Sequence, residues 1–188
     1  MSAPSVALPA WAVVTPARGA HIARVEALVA RWAAGRGVSA VEAERWRRAA
    51  QLHDALRDAP AEVLARYAPQ GSWPVNLWHG PAASAAAERN GETDRGVLDA
   101  VRYHSVGHAG WDETGRMLFL ADYLEPGRSH DRPALDALAA RVPGEPDAVL
   151  REVTARRIAW LAHHAKPIGK DTWEFWNSLV AGDSLSSR

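Results

Sequence analysis

The chain has 188 residues, 47% of them hydrophobic and 23% charged, which suits one globular domain with a buried core. Its 22 basic residues balance 22 acidic ones, and the net charge of zero gives no electrostatic reason to expect a nucleic-acid or membrane partner. It contains no cysteine, which excludes disulfides, thiolate metal ligands and cysteine nucleophiles.

We interpret residues 1–14 as an N-terminal extension, which prolines interrupt. This segment lacks the basic start and the continuous apolar run of a signal peptide. No apolar run elsewhere in the chain approaches the roughly 18 residues that span a membrane. We therefore expect a cytoplasmic protein.

Helical periodicity begins at Thr15, which a proline follows, as at many helix starts. The apolar face of this first helix is predicted to carry His21, Val25, Leu28 and Trp32. A second helix begins at the capping box formed by Ser39 and Glu42. Its apolar positions continue to His53, and the carboxylate of Asp54 follows directly.

The rest of the chain alternates between predicted helices and loops. His79 lies near the end of a loop at 68–81 and precedes an alanine-rich helix, and Asp94 can cap a helix that includes His104. Another loop is predicted at 105–110. Further helices are predicted at about 60–67, 113–125, 133–141, 147–165 and 171–180. No segment shows the alternation typical of a strand, so the predicted fold is all-α.

Four histidines and two aspartates stand out because each lies on or beside an apolar helical segment. The last aspartate follows MLFLA, where an ionised carboxylate is costly to bury without a compensating charge. A lone histidine on an apolar face is more often a hydrogen-bonded core residue, so the metal hypothesis depends on the whole set. The set consists of His21, His53, Asp54, His79, His104 and Asp122. The histidines interpreted as surface residues are His108, His130, His163 and His164.

The ordered pattern H…HD…H…H…D resembles that of the HD-domain metal-dependent phosphohydrolases. Three stretches make the resemblance more specific: HIARVEALVARWA, LWHGPAASA and VRYHSVGHAGWDETGRMLFLADYLEPGR. They resemble the bacterial symmetrical bis(5'-nucleosyl)-tetraphosphatases, over a region from about residue 16 to FWNSL near the C-terminus. The resemblance implies an all-α HD-domain helical bundle with additional C-terminal helices, and a single such domain would occupy residues 15–188.

The resemblance also implies a site for two divalent metal ions bridged by Asp54. The first site would be completed by His21, His53 and Asp122, and the second by His79 and His104. Catalysis would involve Asp54, His79 and His104 together with a bridging water whose pKa the ions lower. The family implies iron, while the mixture of imidazole and carboxylate ligands leaves manganese and zinc as alternatives.

The implied reaction is the hydrolysis of a small nucleotide substrate, diadenosine tetraphosphate, into two ADP. Its tetraphosphate bridge needs positive charge beyond the metal ions, and arginine suits phosphate oxygens. The candidate substrate-binding residues are Arg128, Arg57, Arg24 and Ser105. Alternatively, Arg128 caps a helix end, Arg57 is a solvated helix end, and Ser105 orients His104.

Three departures from the family pattern bear on the substrate. Ser105 stands where threonine is usual and Arg57 where lysine is usual. Trp111 replaces a smaller residue in the loop between two proposed ligands, where it could reshape a nucleotide pocket. The nine tryptophans are otherwise expected to be core anchors, although Trp73 and Trp78 could also contact substrate.

Several alternatives remain open at the level of sequence. The enzyme could act on another nucleotide, such as a nucleoside monophosphate or a guanosine alarmone. The chain could instead be a metal-containing nucleotide sensor without turnover, or an all-α structural protein with core histidines. Its oligomeric state is open as well, with a homodimer as one alternative.

Overall fold

The computed structural model describes residues 7–68, 73–128 and 131–181. Throughout these residues the regular structure is helical, without strands, which confirms the all-α prediction. One short 3-10 helix lies at Val75–Leu77. The α-helices are α1 (Pro16–Arg36), α2 (Ala40–Leu52), α3 (Ala61–Leu64), α4 (His79–Arg89), α5 (Arg95–Tyr103), α6 (Glu113–Leu124), α7 (Arg132–Arg141), α8 (Pro146–His163) and α9 (Lys170–Ala181).

Side-chain caps fix the starts of three helices that position the site. Thr15, Ser39 and Asp94 each accept a hydrogen bond from the backbone N–H three residues later, at the starts of α1, α2 and α5. Helix α1 ends at Gly37, which adopts a left-handed conformation with φ of 62°. The capping residues identified in the sequence therefore mark the true helix boundaries.

The core lies where α1, α2, α5 and α6 pack together, with α4 against α5. Trp32 and Trp46 are fully enclosed in it, as expected for aromatic anchors. The indole of Trp32 also donates a 3.0 Å hydrogen bond to the backbone oxygen of Ala139, which joins α1 to α7. None of the described helices combines the length and apolar character needed to cross a bilayer.

Trp111, which the sequence analysis left open as a residue that could reshape a nucleotide pocket, packs in this core. It is 5% exposed, and its ring packs against Phe119 and Phe175 at centroid distances of 5.8 and 5.1 Å. Its indole nitrogen donates to the backbone oxygen of Asp99 at 3.1 Å. A Cβ at Gly115 would lie 2.3 Å from the Trp111 ring, so a glycine is needed there.

Four of the candidate ligands lie at or just beyond helix ends. Helix α2 ends at Leu52, so His53 and Asp54 occupy the following turn instead of continuing the helix as predicted. His104 follows the C-terminus of α5, and His79 begins α4. Residues 69–72 of the predicted loop at 68–81 lie outside the described residues.

The histidines interpreted as surface residues differ in their environments. His163 and His164 are exposed, whereas His108 is half-buried and stacks on Tyr103 at a centroid distance of 4.4 Å. His130 lies outside the described residues.

Candidate metal centre

Two histidines and one aspartate lie close together: one near the start of α1, one directly after α2, and one near the end of α6. The Nε2 atom of His21 lies 3.2 Å from Nε2 of His53 and 3.2 Å from Oδ1 of Asp122. One ligand atom from each of the three lies within 4.8 Å of the other two. We call these residues the first trio.

A second trio lies directly beside the first and consists of Asp54, His79 and His104. Oδ1 of Asp54 is 3.4 Å from Nε2 of both histidines, which are themselves 3.1 Å apart. The other carboxylate oxygen, Oδ2, is 3.7 Å from Nε2 of His21 and of His53. Asp54 therefore presents one oxygen to each trio.

Hydrogen bonds on the outer side of two imidazoles point their inner nitrogens at the centre as acceptors. Nδ1 of His53 lies 2.7 Å from the backbone oxygen of Ala50, and Nδ1 of His104 lies 2.8 Å from that of Val101. A carbonyl oxygen only accepts, so each Nδ1 donates and each Nε2 keeps its lone pair when the ring is neutral. This is the arrangement in which histidine binds metal ions.

His79 has a different outer partner. Its Nδ1 lies 3.0 Å from Nη1 of Arg57, which also donates to the backbone oxygen of Asn76 at 2.8 Å. Because a guanidinium only donates, Nδ1 of His79 accepts, and the neutral ring carries its proton on Nε2. That proton faces His104 and Asp54 inside the second trio.

The candidate ligands are almost completely enclosed. Asp122 has the most exposed side chain, at 20%, while the residue exposures of the other five range from 0 to 5%. Two outer cations compensate the aspartates: Arg18 lies 2.7 Å from Asp54, and Arg128 lies 2.6 Å from Asp122. An enclosed cluster of this kind costs free energy unless charges within it are balanced.

In the metal-free chain, His21 carries a positive charge within the cluster. Burial alone would lower its pKa, but hydrogen bonds to Asp122 and Glu125 and the charges of Asp122 and Asp54 outweigh burial and raise the pKa to about 9. Burial also opposes ionisation of Asp122, yet His21 and nearby cations hold the pKa of that carboxyl far below its ordinary value. Without a metal ion, the protonated imidazole of His21 therefore supplies positive charge beside Asp122.

Two other histidines stay neutral. Burial lowers the pKa of His53 to about 4, and burial together with the charges of His104 and Arg57 lowers that of His79 to about 3. The pKa of Asp54 is held well below its ordinary value because His53 and His104 outweigh the effect of burial. Neutral imidazoles beside ionised carboxylates suit metal ligands, and an ion bound at Nε2 of His79 would displace the proton that this nitrogen carries in the metal-free chain.

The donor set fits divalent transition metals. Imidazole nitrogens combined with carboxylate oxygens suit iron, manganese and zinc, and the two trios offer separate groups of donors. The structure thus brings together all six residues that the sequence analysis grouped. The ligand roles of these residues remain a prediction.

Sequence reasoning missed Glu125, which supports His21 from outside. Its side chain is nearly fully buried, with Oε1 3.2 Å from Nδ1 of His21. It also accepts from Nε of Arg24 at 2.5 Å and from the backbone N–H of Gly127 at 2.6 Å. Burial opposes its ionisation, but these partners lower the pKa of Glu125 to about 2. Its position three residues after Asp122 was the available signal.

The arginines proposed for phosphate binding have distinct partners. Arg24 donates a hydrogen bond to Glu125, the outer partner of His21, and Arg57 contacts the outer nitrogen of His79. Both arginines therefore lie on the side of a candidate ligand that faces away from the cluster. Arg128 donates to both the backbone and the carboxylate of Asp122 and lines a cavity. Of these three arginines, Arg128 is the one that lines this cavity.

The hydroxyl of Ser105 lies beside the second trio. Its hydroxyl is 3.0 Å from Nε2 of His104 and 3.2 Å from Nε2 of His79. It is thus within hydrogen-bonding distance of the nitrogens proposed to bind metal. Trp73 and Trp78 lie elsewhere, joined by a 2.7 Å hydrogen bond from the Trp78 indole to the Trp73 backbone, and neither lines the cavity described next.

A cavity of about 390 Å³ opens onto both trios. Its lining includes His104 and Asp122, one residue from each trio, and otherwise combines aromatic or aliphatic side chains with two arginines. Sequence reasoning did not assign a role to the residues from α8. The lining residues are His104, Phe119, Asp122, Tyr123, Arg128, Arg157, Trp160 and Leu161.

Comparisons with known proteins agree with this geometry. The family model of the HD domain matches residues 18–127, more than half of the chain. A symmetrical bis(5'-nucleosyl)-tetraphosphatase of Bacillus subtilis is 28% identical over 142 residues, which cover 71% of this chain and 75% of the relative. Its counterpart in Staphylococcus aureus is 33% identical over 93 residues, covering 48% of this chain and 47% of the relative.

The fold matches a solved structure from Clostridium acetobutylicum, described as a predicted HD superfamily hydrolase involved in NAD metabolism. The TM-score is 0.78 with 21% sequence identity, over 90% of this chain and 92% of the other. At this identity the match establishes the shared fold.

Proposed function

The chain belongs to the HD domain family, and on that premise we propose that it is a metal-dependent phosphohydrolase that cleaves diadenosine tetraphosphate symmetrically into two ADP. The observation that carries this proposal is the division of six buried donors into two adjacent trios joined by Asp54. The tetraphosphatase names of the relatives from Bacillus subtilis and Staphylococcus aureus support this choice of substrate.

Two divalent ions, iron or alternatively manganese or zinc, would supply a water of lowered pKa and polarise the phosphoryl oxygen under attack. Asp54 would serve both sites, because its two oxygens face different trios. The first trio holds donors for one site, and His79 and His104 hold those for the other. No nucleophilic side chain is required by this chemistry.

Other residues of the chain fix the donors in place. The backbone oxygens of Ala50 and Val101 orient two of the imidazoles, and Glu125 orients His21. Enclosure of the cluster strengthens the hydrogen bonds by which these groups hold the imidazoles. We assign them as positioning residues.

Arg128 is the residue we assign to the phosphate chain. Its side chain is 37% exposed and lines the cavity, and its guanidinium lies beside the Asp122 carboxylate. A guanidinium at this point can bind phosphate oxygens with paired N–H donors. Arg24 and Arg57 act instead through Glu125 and His79, and Ser105 is close enough to the second trio to contact either a phosphate or His104.

The test is incubation of anaerobically purified, iron- or manganese-loaded protein with diadenosine tetraphosphate, with chromatographic separation of the products. ADP as the sole product supports symmetrical cleavage. ATP together with AMP would retain the hydrolase and overturn the position of the cut. Tight nucleotide binding without turnover would favour a sensor, and cleavage of another nucleotide in a substrate panel would overturn the substrate.

A further inference from the structure

One wall of the cavity beside the metal centre comes from α8, which lies outside the residues 18–127 matched by the family model. Arg157, Trp160 and Leu161 contribute this wall. The same cavity is lined by His104 and Asp122, one residue from each trio. The cavity therefore connects the candidate metal centre to side chains that have no role in the chemistry derived above.

The charge of Arg157 has no carboxylate at ion-pair distance among the described residues. Its half-buried guanidinium donates to the backbone oxygen of Ser105 and lies 6.0 Å from the centre of the Phe119 ring. Arg128, in contrast, is paired with Asp122 at 2.6 Å. Arg157 can therefore bind an anion without first releasing a carboxylate.

Trp160 follows Arg157 by three residues, which places the two side chains on the same side of α8. It is 54% exposed, an unusual position for so large an apolar side chain. His164 stacks on its ring at a centroid distance of 4.3 Å and an angle of 25°. An indole held in this way can offer its remaining surface to a nucleobase, because every base has a face that stacks on aromatic rings.

We propose that Arg157 and Trp160 bind one nucleoside diphosphate half of the substrate, with Arg157 on its phosphates and Trp160 stacked on its base. This inference rests on the proposed function, since a dinucleotide brings phosphates to the metal centre and a base away from it. Ligand pockets span about 300–1,000 Å³, and the 390 Å³ of this cavity suits one half of the substrate better than the whole.

Direct binding measurements on metal-loaded protein separate the two roles. Calorimetric titration with ADP and with inorganic pyrophosphate compares a probe that has a base with one that lacks it. Arg157→Met should weaken the binding of both probes by about tenfold or more, because it removes charge-assisted hydrogen bonds to phosphate. Trp160→Ala should weaken ADP binding at least about fivefold and leave pyrophosphate binding unchanged.

Each variant has a control residue of the same type on α8 or α9. Arg156 neighbours Arg157 but pairs with Glu152 at 3.2 Å and Asp131 at 3.4 Å, so Arg156→Met should bind ADP normally. Trp173 on α9 is 55% exposed and does not line the cavity, so Trp173→Ala is the control for Trp160. Thermal unfolding of all four variants identifies any loss that reflects misfolding.

The outcomes distinguish this inference from the proposed function. If Arg157→Met and Trp160→Ala bind ADP as their controls do, the inference is wrong even when diadenosine tetraphosphate is hydrolysed. An equal loss of ADP binding in the controls would overturn it as well. If diadenosine tetraphosphate is not cleaved but ADP binding still depends on Arg157 and Trp160, the proposed function fails and the nucleotide site stands.

Discussion

Arg18 lies 2.7 Å from Oδ2 of Asp54, the oxygen that faces the first trio. The guanidinium approaches from outside the cluster, and its Nε lies 3.8 Å from Asp58. Arg18 is three residues before His21, so the same helix supplies a candidate ligand and a cation for the carboxylate between the two sites. The charge of Asp54 is therefore already partly balanced before any metal ion binds.

Replacement of Arg18 should weaken the metal-free protein most. Arg18→Met leaves the Asp54 carboxylate, which is 6% exposed, without its cation, and the expected cost is about 1–3 kcal/mol in the free energy of unfolding. Metal ions would replace that cation, so the rise in melting temperature on metal addition should be larger than in the unmodified protein. Arg47→Met, which removes a surface pair with Glu44, is the control, and an equal metal-induced shift in both variants would contradict the prediction.

Removal of a ligand of one site and removal of the ligand shared by both sites should have different effects on the number of bound metal ions. His79→Ala should reduce bound metal from two ions to one, whereas Asp54→Asn should impair both sites because its two oxygens face different trios. Activity should fall by more than the about 10–100-fold typical for loss of an outer partner of a ligand. Elemental analysis by mass spectrometry measures the metal content, with exposed His163→Ala as the control. Identical metal content in His79→Ala and Asp54→Asn would rule out the bridging role.

Glu125 should matter although it does not face the centre of the cluster. Glu125→Gln removes the charge that orients His21, and metal affinity should fall by about 10–100-fold. It should also lower the pKa of His21 in the metal-free protein from its value of about 9, a change that NMR titration of the imidazole can follow. Glu113→Gln removes only a partner of Arg36 and should leave both quantities unchanged.

The stability of the metal-free protein should fall on both sides of neutral pH. The pKa of His53 is lowered from 6.5 to about 4, so the unfolded chain binds more protons in this range, and stability decreases as the pH falls through it. The cost from this residue approaches about 3 kcal/mol. His21 has a raised pKa, so its contribution is complete below 6.5 and is lost as the pH rises through about 9.

The melting temperature of chelator-treated protein, measured at intervals between pH 4 and 10, should show both decreases: an acidic limb below neutral pH and an alkaline limb above it. His21→Gln should flatten the alkaline limb and keep the acidic one. An alkaline limb of unchanged steepness in this variant would show that His21 does not carry the charge assigned to it.

Trp111 should affect stability rather than nucleotide binding. Trp111→Leu removes packing against Phe119 and Phe175 together with a hydrogen bond, at an expected cost of about 2 kcal/mol or more. The KM for the nucleotide should stay unchanged, in contrast to the effect of Trp160→Ala. Denaturant unfolding and steady-state kinetics provide the two measurements, and a raised KM with unchanged stability would restore the pocket role for Trp111.

Local sequence signals located the helix starts and the cluster well. Capping side chains at Thr15, Ser39 and Asp94 act within one helical turn, so they can be recognised without the tertiary structure. The end of α2 was harder, because His53 keeps helical backbone angles after the helix has ended.

Contacts between residues far apart in the sequence could not be predicted from local signals. The pairing of His21 with Glu125 joins residues 104 positions apart, and the hydrogen bond from Arg157 to Ser105 spans 52. Neither pairing follows from local sequence, because only the packing of distant segments brings the two partners together. Arg24 was assigned to phosphate for the same reason, since its partner Glu125 is not local.

The donors of the first trio lie far apart along the chain, at positions 21, 53 and 122. An ion held by them would close loops of many tens of residues and so restrict the unfolded chain as a covalent cross-link does. This chain has no cysteine and forms no disulfide. Its metal centre would thus act as a long-range cross-link, and supply of the ion would govern how long the folded chain survives as well as how fast it works.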